Sequence, residues 1–532
     1  MQLQLCLTQL QQPACRGHIW PFNSKMVIIV LVDIMEWNIY LIYFTWCHLW
    51  VTTVRRRHLV DGSGSSSTWP KGPQVNVLVV GGGVSGLSTV ERLINNGVED
   101  VLLLEATDRL GGRVQTIRRD GFLVEGGAEW IHGDERNPVY RIAHGLDAVG
   151  DNVPDNEWEW ELMNGKGQVE DEDVISNWDK LIEMEAGAFE NDVLLPYYNT
   201  SYGQYFIDKF HEVFIDDFNS TEQIALLHYL EQLVNINEGT NNWLDNSARG
   251  ADAYLNYGED HQWKDGYDTL INLMLDQIPT SNIHLLSPVS EVFWNEDSYD
   301  GVLVVTSNGS SFLAHHVVFT TSVAYLQKYH QTIFSPQLPS SYIESLEGMS
   351  LGVVDKIQIG WDAPWWSVTG KPFSFNIMWE NMDLPDEMLW LYGVVEVFSV
   401  YQQPTILQMF VAGDNAKVME SLTEEKVQTH VIIFLEKVLK KSAPKPIFFN
   451  RSQWGLNPWT FGSYSSYITL AGNKAGLHSR KPLTTPLYNS KGQEVLGWAG
   501  EHTHETRFGT VDGARDSGIR EATRILNMIN VG

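Results

Sequence analysis

Cysteine is almost absent from this chain. The sequence holds 3 cysteines, Cys6, Cys15 and Cys47, and none in the long remainder. That remainder therefore excludes a disulfide framework and a thiolate metal site. Basic residues are also scarce, since 36 lysines and arginines stand against 66 acids, a formal net charge of −30. This balance excludes the basic surface that nucleic acid requires and favours a cationic ligand.

Long hydrophobic runs are rare as well. Trp37–Val54 is an uncharged apolar stretch near the minimum length of a membrane span, and Arg55 follows it. No small-residue cleavage site follows, so a signal peptide fits poorly. The alternatives are a membrane anchor with a cytoplasmic body and an incorrect gene model. A secretory route stays open, and the C-terminus carries no peroxisomal signal. The Ser-rich stretch DGSGSSSTWPKGP predicts a linker, so we expect residues 1–73 to lie outside the catalytic body.

A glycine-rich turn lies within VNVLVVGGGVSGLSTVERLINNG, residues 75–97. The apolar run before it predicts a buried parallel strand, and the pattern after it predicts a helix. Gly81 permits the turn, Gly83 lets a pyrophosphate approach the helix, and Gly86 packs the helix on the strand. A second strand ends at Glu105, where an acid that binds a ribose hydroxyl belongs. This order predicts an α/β, Rossmann-like domain that binds a dinucleotide; an ordinary tight turn is the alternative.

A second glycine pair follows at once, in EATDRLGGRVQ. Arg109, Gly112 and Arg113 form a loop that suits a phosphate or an electron-rich ring. Here the sequence resembles the flavin-containing amine oxidases, and most closely the polyamine oxidases among them, which carry E-A-x-x-R-x-G-G-R at this point. The resemblance continues through EGGAEWIHG, FSPQLP, SLGVVDKIQIGW and LGWAGEHTHETRFGTVDGARDSGIREA, and so covers nearly everything after residue 75.

The resemblance implies an FAD-binding domain with an inserted α+β substrate-binding domain. We expect the FAD-binding domain in residues 74–153, 261–335 and 446–532, and the substrate-binding domain in residues 154–260 and 336–445. The flavin would lie between the first βαβ unit and the late glycine-rich segment, where a helix from about Asp512 would direct its positive dipole at the ring. The implied FAD contacts are Gly81, Gly83, Gly86, Glu105, Arg109, Gly112, Arg113, Trp130, Val289, Gly500, Glu501, Thr510 and Val511.

Two departures from the family pattern carry expectations of their own. Monoamine oxidases hold their flavin through a cysteine in a G-G-C-Y context, and the matching stretch FGSYSSY has Ser463 there. The resemblance therefore implies a noncovalent FAD, as in polyamine oxidases.

The second departure is the loss of a proline. The family usually has T-x-P-L-G where this chain has TTSVA, residues 320–324, and we expect the loss of proline to loosen a turn.

The resemblance assigns catalytic roles to two residues. Lys356, in VVDKIQI, matches the lysine that holds a water near flavin N5, and its apolar strand suits a desolvated proton relay. An ordinary lysine on a half-buried strand is the alternative. His132, in EWIHG, matches the histidine that polyamine oxidases place beside the substrate amines, and a structural histidine is the alternative.

Substrate contacts are implied for five further residues. Glu238 and Thr240, in NINEGTNN, match an acid and a hydroxyl of spermine-type oxidases that would fix the register of a polyamine; a solvated helix end is the alternative. Tyr464, Tyr467 and Phe508 are candidates for aromatic walls where cation–π contact holds an amine, or for core residues.

The implied activity is FAD-dependent oxidation of a polyamine such as spermine, spermidine or an acetylated form. Hydride transfer to the flavin would give an imine, which water would hydrolyse to an aldehyde and an amine, and O2 would be reduced to H2O2. A histone-lysine demethylase is disfavoured, because the helical insert is too short for a coiled-coil tower. An amino-acid oxidase would need an arginine that binds the substrate carboxylate, and the sequence does not identify one. A flavin-binding protein without turnover stays open because of TTSVA, Asp512 and Asp516, although the retained Lys356 argues against it.

Overall fold

The computed structural model describes residues 15–22, 26–33, 38–45, 48–55, 73–150, 158–190, 192–214, 220–297, 300–367, 369, 371–380 and 382–531. The chain divides into two units, Met1–Trp69 and Pro70–Gly532.

The first unit contains a four-stranded antiparallel sheet in chain order. Its strands are Cys15–Phe22, Met26–Asp33, Asn38–Thr45 and His48–Arg55. The described residues of the apolar stretch 37–54 are thus strands. Over the described part of the chain, we find no helix long and apolar enough to cross a membrane.

The second unit contains a nine-stranded sheet, here called the first sheet, built around the predicted βαβ unit. Gln74–Val80 pairs in parallel with Val101–Leu104 and with Ser311–Phe319, and the helix Val84–Ile94 connects the first two strands. Across the sheet the order is Ile283–His284, Val101–Leu104, Gln74–Val80, Ser311–Phe319, Val302–Thr306, Val289–Phe293 and Phe334–Ser335, with Glu494–Trp498 beside Ser311–Phe319 and Leu487–Tyr488 beside Glu494–Trp498. The predicted α/β, Rossmann-like architecture is confirmed.

The apolar run of the first strand is buried on both faces. Val77 and Val79 belong to one hydrophobic core, and Leu78 and Val80 belong to the core on the opposite face. A parallel strand covered by helices and strands on both sides needs such consecutive apolar residues. The apolar sequence pattern therefore predicted a strand that lies inside the sheet and is buried on both faces.

A second sheet has seven strands. Its order is Gly167–Gln168, Glu159–Asn164, Phe373–Ile377, Glu396–Val400, Gln403–Ala412, Val354–Gly360 and Phe448–Arg451. The last of these strands lies within the range that we expected in the FAD-binding domain. It pairs with Val354–Gly360, and Phe449 and Ile359 belong to the same hydrophobic core.

Helices fill much of the remainder, and many of them lie between residues 154 and 260, as the sequence pattern predicts. The further α-helices are Pro138–Gly145, Glu172–Gly187, Tyr202–Val213, Thr221–Asn237, Ala248–Ala251, Asp268–Leu275, Val323–Ile333, Ser340–Glu347, Gly413–Ser421, Glu424–Leu439, Leu470–Lys474 and Val511–Val531. The 3-10 helices are Leu195–Tyr197, Thr280–Asn282, Asp386–Gly393, Lys481–Thr484 and Glu501–Thr503. Three strand pairs complete the fold: Thr116–Arg119 with Phe122–Glu125, Ile131–His132 with Asp260–His261, and Met349–Leu351 with Ser465–Ile468.

A pair of buried acids lies under the second sheet. Burial and the neighbouring carboxylate of Glu420 together raise the pKa of Asp355 to about 7, while hydrogen bonds from Trp454 and Ser452 oppose the shift. Glu420 accepts the backbone N–H of Gly455 at 2.7 Å. Because its pKa is raised, Asp355 binds a proton more readily in the folded protein than in the unfolded chain.

This pair predicts a pH-dependent stability. An acid whose pKa is higher in the folded state binds protons preferentially there, so stability falls as the pH rises from about 4 to about 7. Asp355→Asn replaces this carboxyl with an amide, which does not titrate. We expect this variant to lose part of the fall in Tm between about pH 4 and pH 7. Thermal unfolding checks this, with the exposed Asp414→Asn as the control; equal slopes for wild type and Asp355→Asn would contradict it.

Candidate active site

A cavity of about 720 Å³ has walls from both large sheets and from the late glycine-rich segment. Most of the predicted site residues line it: Gly81, Gly83, Glu105, Arg109, Gly112, Arg113, Trp130, His132, Glu238, Val289, Lys356, Tyr464, Gly500, Glu501, Phe508, Thr510 and Val511. Its volume lies in the range of small-molecule sites. The structure thus brings together residues more than 400 positions apart in the sequence.

Three predicted residues lie off the cavity wall. A Cβ at Gly86 would lie 1.9 Å from the Gly81 carbonyl oxygen, so this glycine serves helix packing, as its spacing indicates. Thr240 is fully buried and its hydroxyl donates to the Asn242 carbonyl at 3.1 Å, because the chain turns at the end of the preceding helix. Thr240 is therefore a turn residue here. Tyr467 is buried behind the wall.

The glycine turn forms the dinucleotide end of the cavity. The helix Val84–Ile94 begins after Gly83 without a side-chain cap, so its first N–H groups are available to a pyrophosphate. Gly81 has φ +111°, and Gly112 approaches so closely that its Cβ would lie 3.1 Å from the Gly83 Cα. Glu105 accepts the Gly82 N–H at 2.7 Å. This cradle of backbone fits the pyrophosphate and ribose of FAD.

An ion pair joins the early and late segments of the cavity. Arg113 Nη1 lies 2.7 Å from Glu501 Oε1, and Glu501 Oε2 accepts the backbone N–H of Gly509 at 2.9 Å. Burial alone would raise the pKa of Glu501, but Arg113, His502 and the hydroxyl of Ser465 together lower it to about 2. Glu501 is thus a permanent carboxylate that holds two distant loops together.

The last helix begins at Val511 and points its first turn at the cavity. Asp512 would oppose the positive dipole of that turn, but it forms a buried ion pair with Arg507 at 2.7 Å. The Thr510 hydroxyl accepts the Gly513 N–H at 3.1 Å and caps the first turn. Arg507 thus neutralises Asp512, and the N-terminal end of this helix stays suited to the flavin ring.

The expected loosening at TTSVA is absent from the described structure. Ser322 takes the place of the family's proline, and its hydroxyl caps the helix Val323–Ile333 by accepting the Tyr325 N–H at 3.1 Å. The same hydroxyl donates to the Thr460 carbonyl at 2.9 Å. Thr320 donates to the Gly81 carbonyl at 3.0 Å, so the segment braces the glycine turn.

Ser463, which the resemblance matches to the flavin-linking cysteine of monoamine oxidases, lines the cavity. Its hydroxyl bonds to both backbone groups of Val354, at 2.7 Å from the N–H and 2.6 Å from the carbonyl. No residue from 73 onward is a cysteine. We therefore expect acid precipitation to release all yellow chromophore into the supernatant. Absorbance spectra of supernatant and redissolved pellet check this, and flavin in the pellet would contradict it.

Lys356 is buried at the junction of the two sheets. Its ammonium pairs with Glu129 at 2.6 Å and lies 5.4 Å from the centre of the Phe410 ring. The Lys356 side chain is 8% exposed and the Glu129 side chain 5% exposed, so the pair is shielded from bulk water. Lys356 is thus not the half-exposed lysine that the structural alternative required.

Glu129 is a site residue that sequence reasoning missed. One oxygen accepts from Lys356 and from Gln408 at 2.8 Å, and the other accepts from Gln262 at 2.8 Å. The available signal was its place within EGGAEWIHG, three residues before the predicted site residue His132. Its partners come from segments far along the chain, which no local pattern joins.

His132 lies near the edge of the cavity, with 38% of its side chain exposed. Its Nδ1 is 3.0 Å from the carboxylate of Asp260, and because a carboxylate only accepts, Nδ1 carries the proton. The hydrogen bond fixes the ring orientation, as a carboxylate partner does for functional histidines elsewhere. Asp260 is a second residue that the sequence did not reveal.

Three poorly solvated carboxyls line the cavity: those of Glu185, Glu238 and Glu396. Burial raises the pKa of Glu238 to about 8, although a hydrogen bond from Tyr467 opposes the shift. Burial also raises the pKa of Glu185 and that of Glu396. A carboxyl whose pKa is raised by burial is stabilised as a carboxylate when a cation lies beside it, so this wall favours positively charged ligands.

Aromatic side chains surround these acids. The Tyr464 hydroxyl donates to the Ile236 carbonyl at 2.6 Å, which fixes its ring on the cavity wall. Phe508 also lines the cavity, and the Arg480 guanidinium lies 3.8 Å from its ring centre. The Phe508 ring therefore already has a cation–π contact with Arg480, whereas the Tyr464 ring faces the cavity.

The family model described as flavin containing amine oxidoreductase matches residues 84–526. The chain belongs to this family, which confirms the predicted resemblance. It is accordingly an FAD-dependent amine oxidoreductase.

Within the family, the chain is similar to proteins named for polyamines. It is 29% identical to peroxisomal N(1)-acetyl-spermine/spermidine oxidase of Bos taurus over 504 residues, which cover 88% of this chain and 97% of the relative. It is 24% identical to probable polyamine oxidase 5 of Arabidopsis thaliana, over 85% of this chain and 98% of the relative. A solved structure of putrescine oxidase bound to putrescine shares the fold, with a TM-score of 0.65 and 22% identity over 86% of this chain and 99% of that structure.

Proposed function

We propose that the protein oxidises a polyamine with a noncovalent FAD and passes the electrons to O2, which becomes H2O2. The observation that carries this proposal is the wall of poorly solvated acids Glu185, Glu238 and Glu396, which lines the same cavity as Lys356. A monoamine has one cation and needs no such wall. A chain with several amines places one at the reacting end and others against these carboxyls, and relatives named for acetylated spermine and spermidine agree with this.

The residues of the chain would divide the work by position. Bound FAD supplies the two-electron acceptor for the carbon beside the amine nitrogen. Arg113, Glu501 and the two glycine loops would hold it. An ammonium has three N–H donors, so the pair with Glu129 leaves Lys356 donors for a water molecule in the cavity. His132, oriented by Asp260, would position the amine near the cavity edge.

An amino-acid oxidase needs a cationic group for the substrate carboxylate. The arginines on the described cavity wall are Arg109 and Arg113. Arg109 donates to the Gly112 carbonyl at 2.6 Å within its own loop, and Arg113 is paired with Glu501. The acid wall would moreover repel a carboxylate, so the cavity favours a polyamine.

A peroxide assay on the purified protein tests the proposal. The panel is spermine, spermidine, N-acetylspermine, butylamine and an amino acid, and we expect peroxide with one or more of the polyamines. Glu238→Gln and Glu185→Gln should each raise KM about 10-fold, the worth of one charge-assisted hydrogen bond. Glu183→Gln, an exposed position on the same helix as Glu185, is the matched control. Equal turnover of butylamine and spermine, or KM values untouched by both variants, would contradict the proposal.

A further inference from the structure

A second, smaller cavity of about 180 Å³ lies on the far side of Glu129. Its rim includes the exposed Gln402 and the Lys264 side chain, which is 30% exposed. Its inner wall includes the carboxyls of Glu125 and Glu129, both buried. The cavity therefore leads from the surface of the protein to a carboxylate that also belongs to the active site.

Glu129 is shared by the two cavities. It lines both the main cavity and the second cavity, and its two oxygens have partners on different sides. Oε2 is bonded to Lys356 of the main cavity, and Oε1 is bonded to Gln262 of the second cavity. One carboxylate thus forms the partition between the amine cavity and a cavity that opens to water.

We propose that Lys356 and Glu129 relay protons between the main cavity and solvent by way of the second cavity. The proposal rests on the proposed place of Lys356 beside the reacting amine, but it does not depend on which amine is oxidised. An amine bound as an ammonium must shed a proton before it is oxidised, and the reduction of O2 to H2O2 takes up two protons with two electrons. A cavity filled by substrate needs another route for these protons.

The relay conserves protons and moves no electrons. Lys356 Nζ gives a proton to Glu129 Oε2, which leaves a neutral amine and a neutral carboxylic acid. The carboxyl releases the proton to water in the second cavity and becomes a carboxylate again. Lys356 then takes the next proton from the main cavity, and the reverse sequence delivers protons inward.

The surroundings of Glu129 suit such a transfer. Two neutral amides, from Gln262 and Gln408, hold the carboxylate in place without competing for the proton. Burial raises the pKa of Glu125 to about 7, while Lys356 and a Tyr267 N–H oppose the shift. Lys356 and Glu125 are titratable groups beside Glu129, and Lys264 and Tyr401 are further titratable residues that line the second cavity.

The cysteine-free body makes a direct test possible. In a background in which Cys6, Cys15 and Cys47 are serine, Lys264→Cys places one thiol at the rim of the second cavity. Benzyl methanethiosulfonate, an uncharged reagent, then plugs this cavity without touching the main one. Lys417→Cys, labelled in the same way, is the matched control, because it also replaces a half-exposed lysine paired with an aspartate.

The measurement is reoxidation of dithionite-reduced holoenzyme by O2 in a stopped-flow instrument, in H2O and in D2O. It uses no amine, so it reports on the relay even if the proposed substrate is wrong. We expect the plug at position 264 to slow reoxidation on the order of 10-fold and to enlarge the solvent isotope effect. Unchanged rates and isotope effects in the plugged protein would overturn the proposal.

Variants at Glu129 separate a relay from a structural ion pair. Glu129→Gln and Glu129→Asp should both lower the Tm of the flavin-free protein, because both disturb a buried pair. Only Glu129→Asp keeps a carboxyl, so it should retain much more of the reoxidation rate than Glu129→Gln. The plug should leave Tm unchanged. Equal rates for the two variants would show that Glu129 only stabilises the fold.

Discussion

Lys356→Met should keep FAD bound and slow flavin reduction or reoxidation on the order of 10²–10³-fold. Methionine matches lysine in length and apolar stem, so the strand Val354–Gly360 should keep its packing. The change removes the cationic donor that pairs with Glu129 at 2.6 Å. Glu129 keeps its bonds from Gln262 and Gln408, which limit the cost of leaving its charge buried.

Stopped-flow traces of both half-reactions with spermine check this prediction, alongside the flavin content of the purified protein. Lys417→Met is the matched control, since it removes an exposed lysine. The double variant Lys356→Met, Glu129→Gln also removes the unpaired buried charge of Glu129. It should be more stable than Lys356→Met alone but equally slow in flavin reduction or reoxidation. Wild-type rates in both half-reactions would remove Lys356 from the catalytic residues, and loss of FAD in the double variant would indicate a structural role.

Glu501→Gln should deplete the protein of FAD and destabilise it by about 3–5 kcal/mol, the usual cost of breaking one partner of a buried ion pair. The carboxylate binds Arg113 and the Gly509 N–H, so it joins loops that lie 388 residues apart. A glutamine places an N–H group against the guanidinium or against the backbone N–H. Either orientation loses an acceptor inside a buried site.

The flavin-to-protein ratio after gel filtration and the Tm of the flavin-free protein check this second prediction. Glu505→Gln is the matched control, because Glu505 lies in the same segment but is exposed and bonds only to Ser479 among the described contacts. If Glu501→Gln bound FAD as wild type does, the ion pair would not organise the cofactor site.

The elements that the sequence predicted well are those whose signal is local. The strand and glycine turn before the helix Val84–Ile94 lie within 21 residues, and the burial of Val77 through Val80 follows from their own apolar character. Ser463 could be identified because aromatic and glycine neighbours mark its position. Such features depend on few contacts beyond the segment itself.

The missed features depend on tertiary contacts. Glu129 and Lys356 are 227 residues apart, and their pairing follows from how the two sheets meet. Glu185 and Glu396 have no motif around them and reach the cavity from a helix and a strand edge. Thr240 was predicted from the resemblance to spermine-type oxidases, but the turn after the helix Thr221–Asn237 buries it off the cavity wall.

Two substitutions within motifs also needed the structure. A missing proline at residue 322 predicts a looser turn, but the serine hydroxyl supplies a helix cap and a tie to Thr460. Asp512 places a negative charge at the helix end that faces the cavity, but Arg507 neutralises it. In both cases a side-chain contact that the motif does not reveal, a helix cap or an ion pair, compensates for the substitution.

Anaerobic mixing of the purified holoenzyme with spermine, N-acetylspermine or butylamine tests the proposed polyamine oxidation most directly. Loss of the visible absorbance of oxidised flavin reports electron transfer from the amine without any contribution from O2. We expect one or both polyamines to bleach the flavin completely, and butylamine at the same concentration to bleach it far more slowly. Flavin that stays oxidised with every polyamine, or that butylamine bleaches equally fast, would contradict the proposal.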